Sequence, residues 1–380
     1  MRVTSSNQEW YTMMIARRVR LALTFAVLAA LLVTLACGSD SSGPGTRSRS
    51  YLMGFSNFPP APDTALQRRS VQLWNSRSDA AILHLDPPWG AMLHGIDPDF
   101  IVSVTILPLT NVYKSLGKQV VIETDLTNGI DRSAEAPSLL ALGHSITEDT
   151  VQRVYRKYAV SIAKLAAPAY LGLASETNLI RLASSPAVYA AVVRMSNDAA
   201  ADIRTAGYDT PLYISAQVDV AWGRLGLGGP MTFVGIDRDR ADFPFIDVLG
   251  LSAYPYLAGY TDPSQVPADY FSRLAGSPAL RVLVTEGGWS SANIGAVHSS
   301  PALQAAWIDR AATLLDNAHA LAWFQLDFTD INLVAFGLPA DDPQVAPFVS
   351  IGLVDTVLTP KPSLASWDSV FARPHVAISP

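Results

Sequence analysis

RVLVTEGGWS, residues 281 to 290, is a short apolar run (Val282, Leu283, Val284) that stops in a carboxylate, two glycines and a tryptophan. A parallel strand buried on both faces ends this way at the rim of a sheet. Strict alternation predicts Val282, Val284 and Glu286 on one face, which puts an acid at the mouth of an apolar column. Taken alone, the stretch is evenly balanced between a functional Glu286 and one that pairs with an arginine to close the strand.

A second stretch tips the balance. AYLGLASETN, residues 169 to 178, ends in Glu176, and the same alternation places the small residues Gly172 and Ala174 on that glutamate's face, leaving room in front of it. The two glutamates are far apart in the chain. Only a fold that gathers distant strand ends makes them one site, and a closed parallel barrel does so.

The rest of the chain agrees with a barrel. Eight apolar runs read as strands: Tyr51 to Asn57, Ala81 to Asp86, Gln119 to Asp125, Ala169 to Glu176, Pro211 to Gln217, Phe245 to Tyr254, Leu280 to Glu286 and Ala320 to Asp327. Amphipathic stretches separate them. Ser145 with Glu148 predicts a capping box ahead of a helix through Lys164. Ser185 and Pro186 open a second helix that Gly207 closes, and Pro301 opens a third. Val218 to Pro244 and Phe328 to Ser350 read as long loops, and a helix near Ser363 to Phe371 ends the pattern. No GxGxxG follows the first strand, which argues against a dinucleotide-binding open sheet. The fold class expected is α/β, a single (β/α)8 TIM barrel over residues 51 to 375.

With 380 residues and 49% hydrophobic content the chain can bury one large core. A net charge of −6 with no basic run argues against a nucleic-acid partner and favours neutral substrates over anionic ones. The six histidines are scattered without ligand spacing, so no metal and no cofactor is implied. Leu21 to Ala36 is an apolar run behind Arg17, Arg18 and Arg20, too short to span a membrane and laid out like a secretory signal. Residues 1 to 36 are therefore expected to be a signal peptide. Thr34 to Cys37 resembles a bacterial lipobox, which would make Cys37 a lipidated N-terminus, and 37 to 50 reads as a Gly/Ser-rich tether. The expected location is the bacterial cell envelope, the protein exported and held at the membrane by that lipid, or secreted.

Polar and aromatic residues recur at the strand ends: Asn57, Asp86 and Trp89, Glu123 and Asp125, Glu176 and Asn178, Gln217, Ser252 and Tyr254, Glu286 and Trp289, Trp323 and Gln325. Such a set suits a sugar, whose hydroxyls take hydrogen bonds and whose C–H faces stack on rings. Two opposed carboxylates suit glycosidic bond cleavage.

These residues resemble glycoside hydrolase clan A. The glutamates ending strands four and seven, DVLGLSAYPY (247 to 256) and VTEGGW (284 to 289) carry the likeness, which is nearest to the arabinogalactan endo-β-1,4-galactanases; MGFSNFPP, WFQLDF and SIGLVDTVLTPKPSLASW extend it. The resemblance implies a retaining reaction with Glu176 as acid/base and Glu286 as nucleophile. It also implies that Tyr254 bonds the nucleophile, that Trp323 floors the subsite of the cleaved sugar, and that the substrate is a galactan-like or other neutral glycan. Two departures stand out. Ser175 replaces the asparagine usual before the acid/base, and AILHLDPPW lacks the usual arginine on strand two. Two other readings stay open: a non-catalytic glycan-binding lipoprotein, motivated by these departures, and a transglycosylase using the same glutamates.

Overall fold

Eight parallel strands close into a barrel in the computed structural model, which describes residues 47–56, 58–225 and 232–377. The expected signal peptide, Cys37, most of the expected tether and Asn57 lie outside the described residues. Among the described residues no helix is long and apolar enough to cross a membrane.

The strands are β1 (Leu52–Ser56), β2 (Ala80–Leu85), β3 (Gln119–Thr124), β4 (Tyr170–Gly172), β5 (Leu212–Tyr213 and Ser215–Gln217), β6 (Val248–Ala253), β7 (Arg281–Gly287) and β8 (Ala322–Gln325). Strand β5 is one strand in two pieces, with Ile214 between them. Its first piece pairs with β4 and its second with β6, and this hand-over closes the ring. The β1–β8 pairing, Leu52 to Ala322 through Phe55 to Gln325, completes the circle on the other side.

Both faces of each strand are buried, which is why the sequence shows continuous apolar runs. Ala80, Ile82, Val121, Tyr213, Val248, Leu283, Ala322 and Phe324 pack together inside the barrel. A larger core, including Phe55, Leu83, Ile122, Leu171, Leu251, Val282, Val284 and Trp323, lies between the sheet and its helices. Tyr213 fills the interior beside Gly172 and Gly250, where an added Cβ would come within 2.7 Å and 2.8 Å of its ring.

Most helix ends follow the sequence signals. Ser185 accepts from Val188 N at the start of Pro186–Thr205, and Ser300 caps Pro301–Asn317 in the same way. The capping box at Ser145 forms only by half. Glu148 accepts from Ser145 N, but the Ser145 hydroxyl accepts from Thr147 N, so the helix starts at Asp149. Arg49, near the end of the expected tether, is tied into the domain: it bridges His375 and its guanidinium bonds Asp79 at 2.7 Å. The folded domain is thus entered beside the N-terminal ends of the strands, where Ser50 Oγ donates to Ala320 O.

Candidate active site

Two backbone irregularities create the site. On β7, Leu251 of β6 pairs with Val284, but Ser252 pairs with Glu286, so Thr285 is an extra residue. This bulge overturns the expected alternation. Val282 and Val284 face the outer core while Glu286 is turned to Ser252, because one inserted residue reverses the side-chain phase. On β4, regular pairing stops at Gly172, and Leu173 and Ala174 both join the outer core. Glu176 then adopts φ 45, ψ 47, a left-handed conformation that costs a non-glycine residue about 1–3 kcal/mol. It is held there by its own N–H donating to Ser215 Oγ at 2.9 Å and by the helix Thr177–Ala183, whose first bonds its carbonyl accepts.

The result is a pair of carboxylates joined by one hydroxyl. Ser252 Oγ lies 2.6 Å from Glu176 Oε1 and 2.8 Å from Glu286 Oε1. Arg132, from the loop after β3, bonds Glu176 Oε2 through Nε at 2.9 Å and both oxygens of Asp125 through one terminal nitrogen at 2.6 Å. Beneath the pair, Ser215 donates to Glu123 Oε1 at 2.8 Å, and Glu123 Oε2 is buried without a partner. Burial, then the charges of Glu176 and Glu123, push the Glu286 carboxyl well above the usual range; Arg132 and the Ser252 hydroxyl only partly oppose this. His84 borders the same layer. Desolvation lowers its pKa more than the facing Glu123 and Asp125 raise it, which favours the neutral ring.

Glu176, Glu286, Asp125 and Tyr254 come together as the sequence suggested. The Tyr254 ring packs on Phe348 at 5.1 Å, and burial followed by the charge of Glu286 raises its pKa far above the ordinary value. The hydroxyl bonded to Glu286 is Ser252, however, where the resemblance had implied Tyr254.

Other expected contacts are spent on structure. Asn178 exchanges two hydrogen bonds with the Gln217 backbone, and the Gln217 side chain accepts from Val220 N. Gln325 donates to Ile351 O at 2.7 Å. Asp86 lies near Tyr158, whose pKa is raised by burial, then by Tyr155, and last by the charge of Asp86. Trp89 packs on Tyr155, and Trp289 sits between Tyr256 and Trp307. Trp323, which the resemblance implied as a subsite floor, is buried. It points out of the barrel onto Trp367, with ring centroids 4.7 Å apart, because its neighbours Ala322 and Phe324 take the interior positions of β8.

Sequence reasoning missed Arg132, Ser215 and the bridging role of Ser252. Arg132 carries no usable signal, since it stands in a loop with no period. Ser252 had one, because it lies two residues before Tyr254 on the same strand face.

No family model matches the chain, and no curated sequence matches it. Solved structures do resemble it. An exo-β-1,4-mannosidase from Opitutaceae bacterium strain TAV5 matches at 15% identity and TM-score 0.61 over 88% of this chain, which spans 62% of that protein's length. A GH5_18 protein from Streptomyces cattleya, solved with GlcNAc, matches at 16% identity and TM-score 0.60, covering 88% of this chain and 83% of the other. The GH53 catalytic domain of Ignisphaera aggregans matches at 18% identity and TM-score 0.54, covering 79% and 88%. At these identities the likeness establishes the barrel fold.

Proposed function

We propose that the chain is a retaining glycoside hydrolase acting on a neutral polysaccharide or oligosaccharide, with Glu176 as acid/base and Glu286 as nucleophile. The observation that carries this reading is the shared Ser252 hydroxyl. The bridged oxygens can be no further apart than the two hydrogen bonds laid end to end, which falls short of the roughly 6.5–9.5 Å that makes room for the water of an inverting enzyme and is compatible with the roughly 5–5.5 Å of retaining ones. In this reading Glu286 attacks the anomeric carbon while Glu176 gives its proton to the leaving oxygen. Glu176 then takes a proton from the water that releases the sugar. The structural neighbours support a glycan substrate: the GH5_18 protein was solved with GlcNAc and its glutamate-to-alanine variant with Manβ1-4GlcNAc, and another neighbour is a mannosidase. A galactan-like substrate is the first to try.

A non-catalytic glycan-binding barrel is the second reading, favoured by the hold of Arg132 on Glu176 and by the burial of Trp323. We also place the protein at the cell envelope through Cys37. The domain is entered at the end of the barrel opposite the glutamates, so a lipid tether would leave the site facing away from the membrane.

The deciding experiment is product release from a glycan panel that includes β-1,4-galactan and β-1,4-mannan, by wild type, Glu176→Ala and Glu286→Ala. Loss of several orders of magnitude in both variants, with azide rescue giving opposite anomers, supports the hydrolase and both roles. Glycan-dependent thermal stabilisation without any product favours the binding protein.

A further inference from the structure

The Ser252 hydroxyl has one hydrogen and stands at hydrogen-bond distance from two carboxyl groups. It can donate to only one of them. The other contact is best satisfied when that carboxyl carries a proton and donates to Oγ, so the geometry favours one shared proton on the pair. The surroundings say where it rests. Arg132 Nε lies on Glu176, so the negative charge is favoured there. Among the described residues no cation is bonded to Glu286, and it faces Glu123, whose Oε2 is buried and unpartnered. The remaining groups turned toward the pair are Asp125 beside Arg132, His84 on β2, Tyr213 on β5 and Tyr254 after β6. The two tyrosines stay protonated, so the charge balance is set by the carboxylates and Arg132.

This resting arrangement is the reverse of what the reaction needs. Building on the glycosidase reading, we propose that Ser252 is a proton relay: a proton resting on Glu286 in the free protein passes through Oγ to Glu176 as the reaction begins. The Glu286 Oε1–H bond breaks as its proton goes to Ser252 Oγ, and the Ser252 O–H bond breaks as that proton goes to Glu176 Oε1. Ser252 ends as a neutral hydroxyl, one negative charge moves from Glu176 to Glu286, and nothing is oxidised or reduced. Positive charge developing at the anomeric carbon draws the negative charge onto Glu286. Ser252 is thus a positioning residue that couples the unmasking of the nucleophile to the arming of the acid, and Arg132 keeps the pair off until a sugar is seated.

Two measurements test this. In the unliganded full chain carrying 13Cδ-glutamate, an NMR titration should show the pair retaining one proton at neutral pH, and the retained proton should disappear in Glu286→Gln. Both carboxyls ionised at pH 7 would overturn the proposal. The second measurement is kcat/KM against pH for aryl glycosides of the sugar found active, comparing Ser252→Ala with Ser252→Thr. The alanine variant should lose about 10-fold or more at pH 6, with its acidic limb moved to higher pH, and the threonine variant should restore the wild-type profile. A drop that is uniform across pH refutes the relay and leaves the glycosidase standing. A wild type that holds the shared proton yet cleaves nothing removes the glycosidase reading and the relay with it.

Discussion

Arg132 and Glu176 meet Nε to Oε2 at 2.9 Å, and the same guanidinium clamps both oxygens of Asp125. The site therefore has its cation on the β4 glutamate, supplied by a loop, where the sequence resemblance led one to look for an arginine on β2. Removing that positive charge makes every proton on the coupled pair harder to lose, so both of its macroscopic pKa values rise. Arg132→Gln is predicted to move the whole kcat/KM bell to higher pH. It should also destabilise the fold, because Asp125 is left partly buried with no cation; breaking such a pair costs about 3–5 kcal/mol. A bell that stays in place while Tm falls would reduce Arg132 to a structural role.

A second pH effect has its source away from the glutamates. Asp219 is fully buried, accepts from Tyr270 Oη at 2.8 Å, and has its other oxygen unpartnered. Burial pushes its pKa from 3.8 to about 7. The folded protein then binds a proton that the unfolded chain releases, so stability falls as pH rises from the unfolded value through the folded one. Asp219→Asn removes that dependence. Its stability relative to wild type, read from Tm, should rise between about pH 4 and pH 7 and stay flat above, by at most about 4 kcal/mol. A difference that does not change with pH would contradict this.

Inside the barrel, Gly54 on β1 faces a wall that cannot yield. A Cβ there would lie 2.3 Å from the Ala80 carbonyl oxygen and 2.9 Å from Phe324. The first of these is backbone of the adjoining strand, held in register by the β1–β2 ladder. Gly54→Ala is predicted to lower stability by about 1–3 kcal/mol, read as a lower urea midpoint with an unchanged slope.

These cases mark what the residues themselves disclosed. The eight strand positions were readable because parallel strands buried on both faces leave uninterrupted apolar runs, and Glu176 and Glu286 stood out as acids closing such runs. Facing was not readable, for the same reason: with both sides apolar, hydrophobicity does not tell the barrel interior from the helix side. Trp323 and Phe324 differ only in which side they take. The bulge at Thr285 changes phase with no glycine or proline at the bulged position itself, and the left-handed turn at Glu176 is made by a residue type that disfavours it. Ion pairs such as Arg132 with Glu176 join a loop to a strand end, and nothing local in the sequence encodes that meeting.

The outward facing of Trp323 separates its role sharply from that of a sugar platform. Its ring is 2% exposed and packs on Trp367 and on Tyr51, which begins the first strand's run. Trp323→Leu should therefore cost stability, about 3 kcal/mol, while leaving KM of the folded fraction within about twofold. Phe348 offers the contrast. It is only partly buried, reaches the site from the long loop after β8, and lies edge-on to Tyr254 beside Glu286. Phe348→Ala should raise KM with a smaller loss of stability, since less of its ring is packed. A tenfold rise in KM for Trp323→Leu, with none for Phe348→Ala, would show that the floor of the sugar site is where the resemblance first put it.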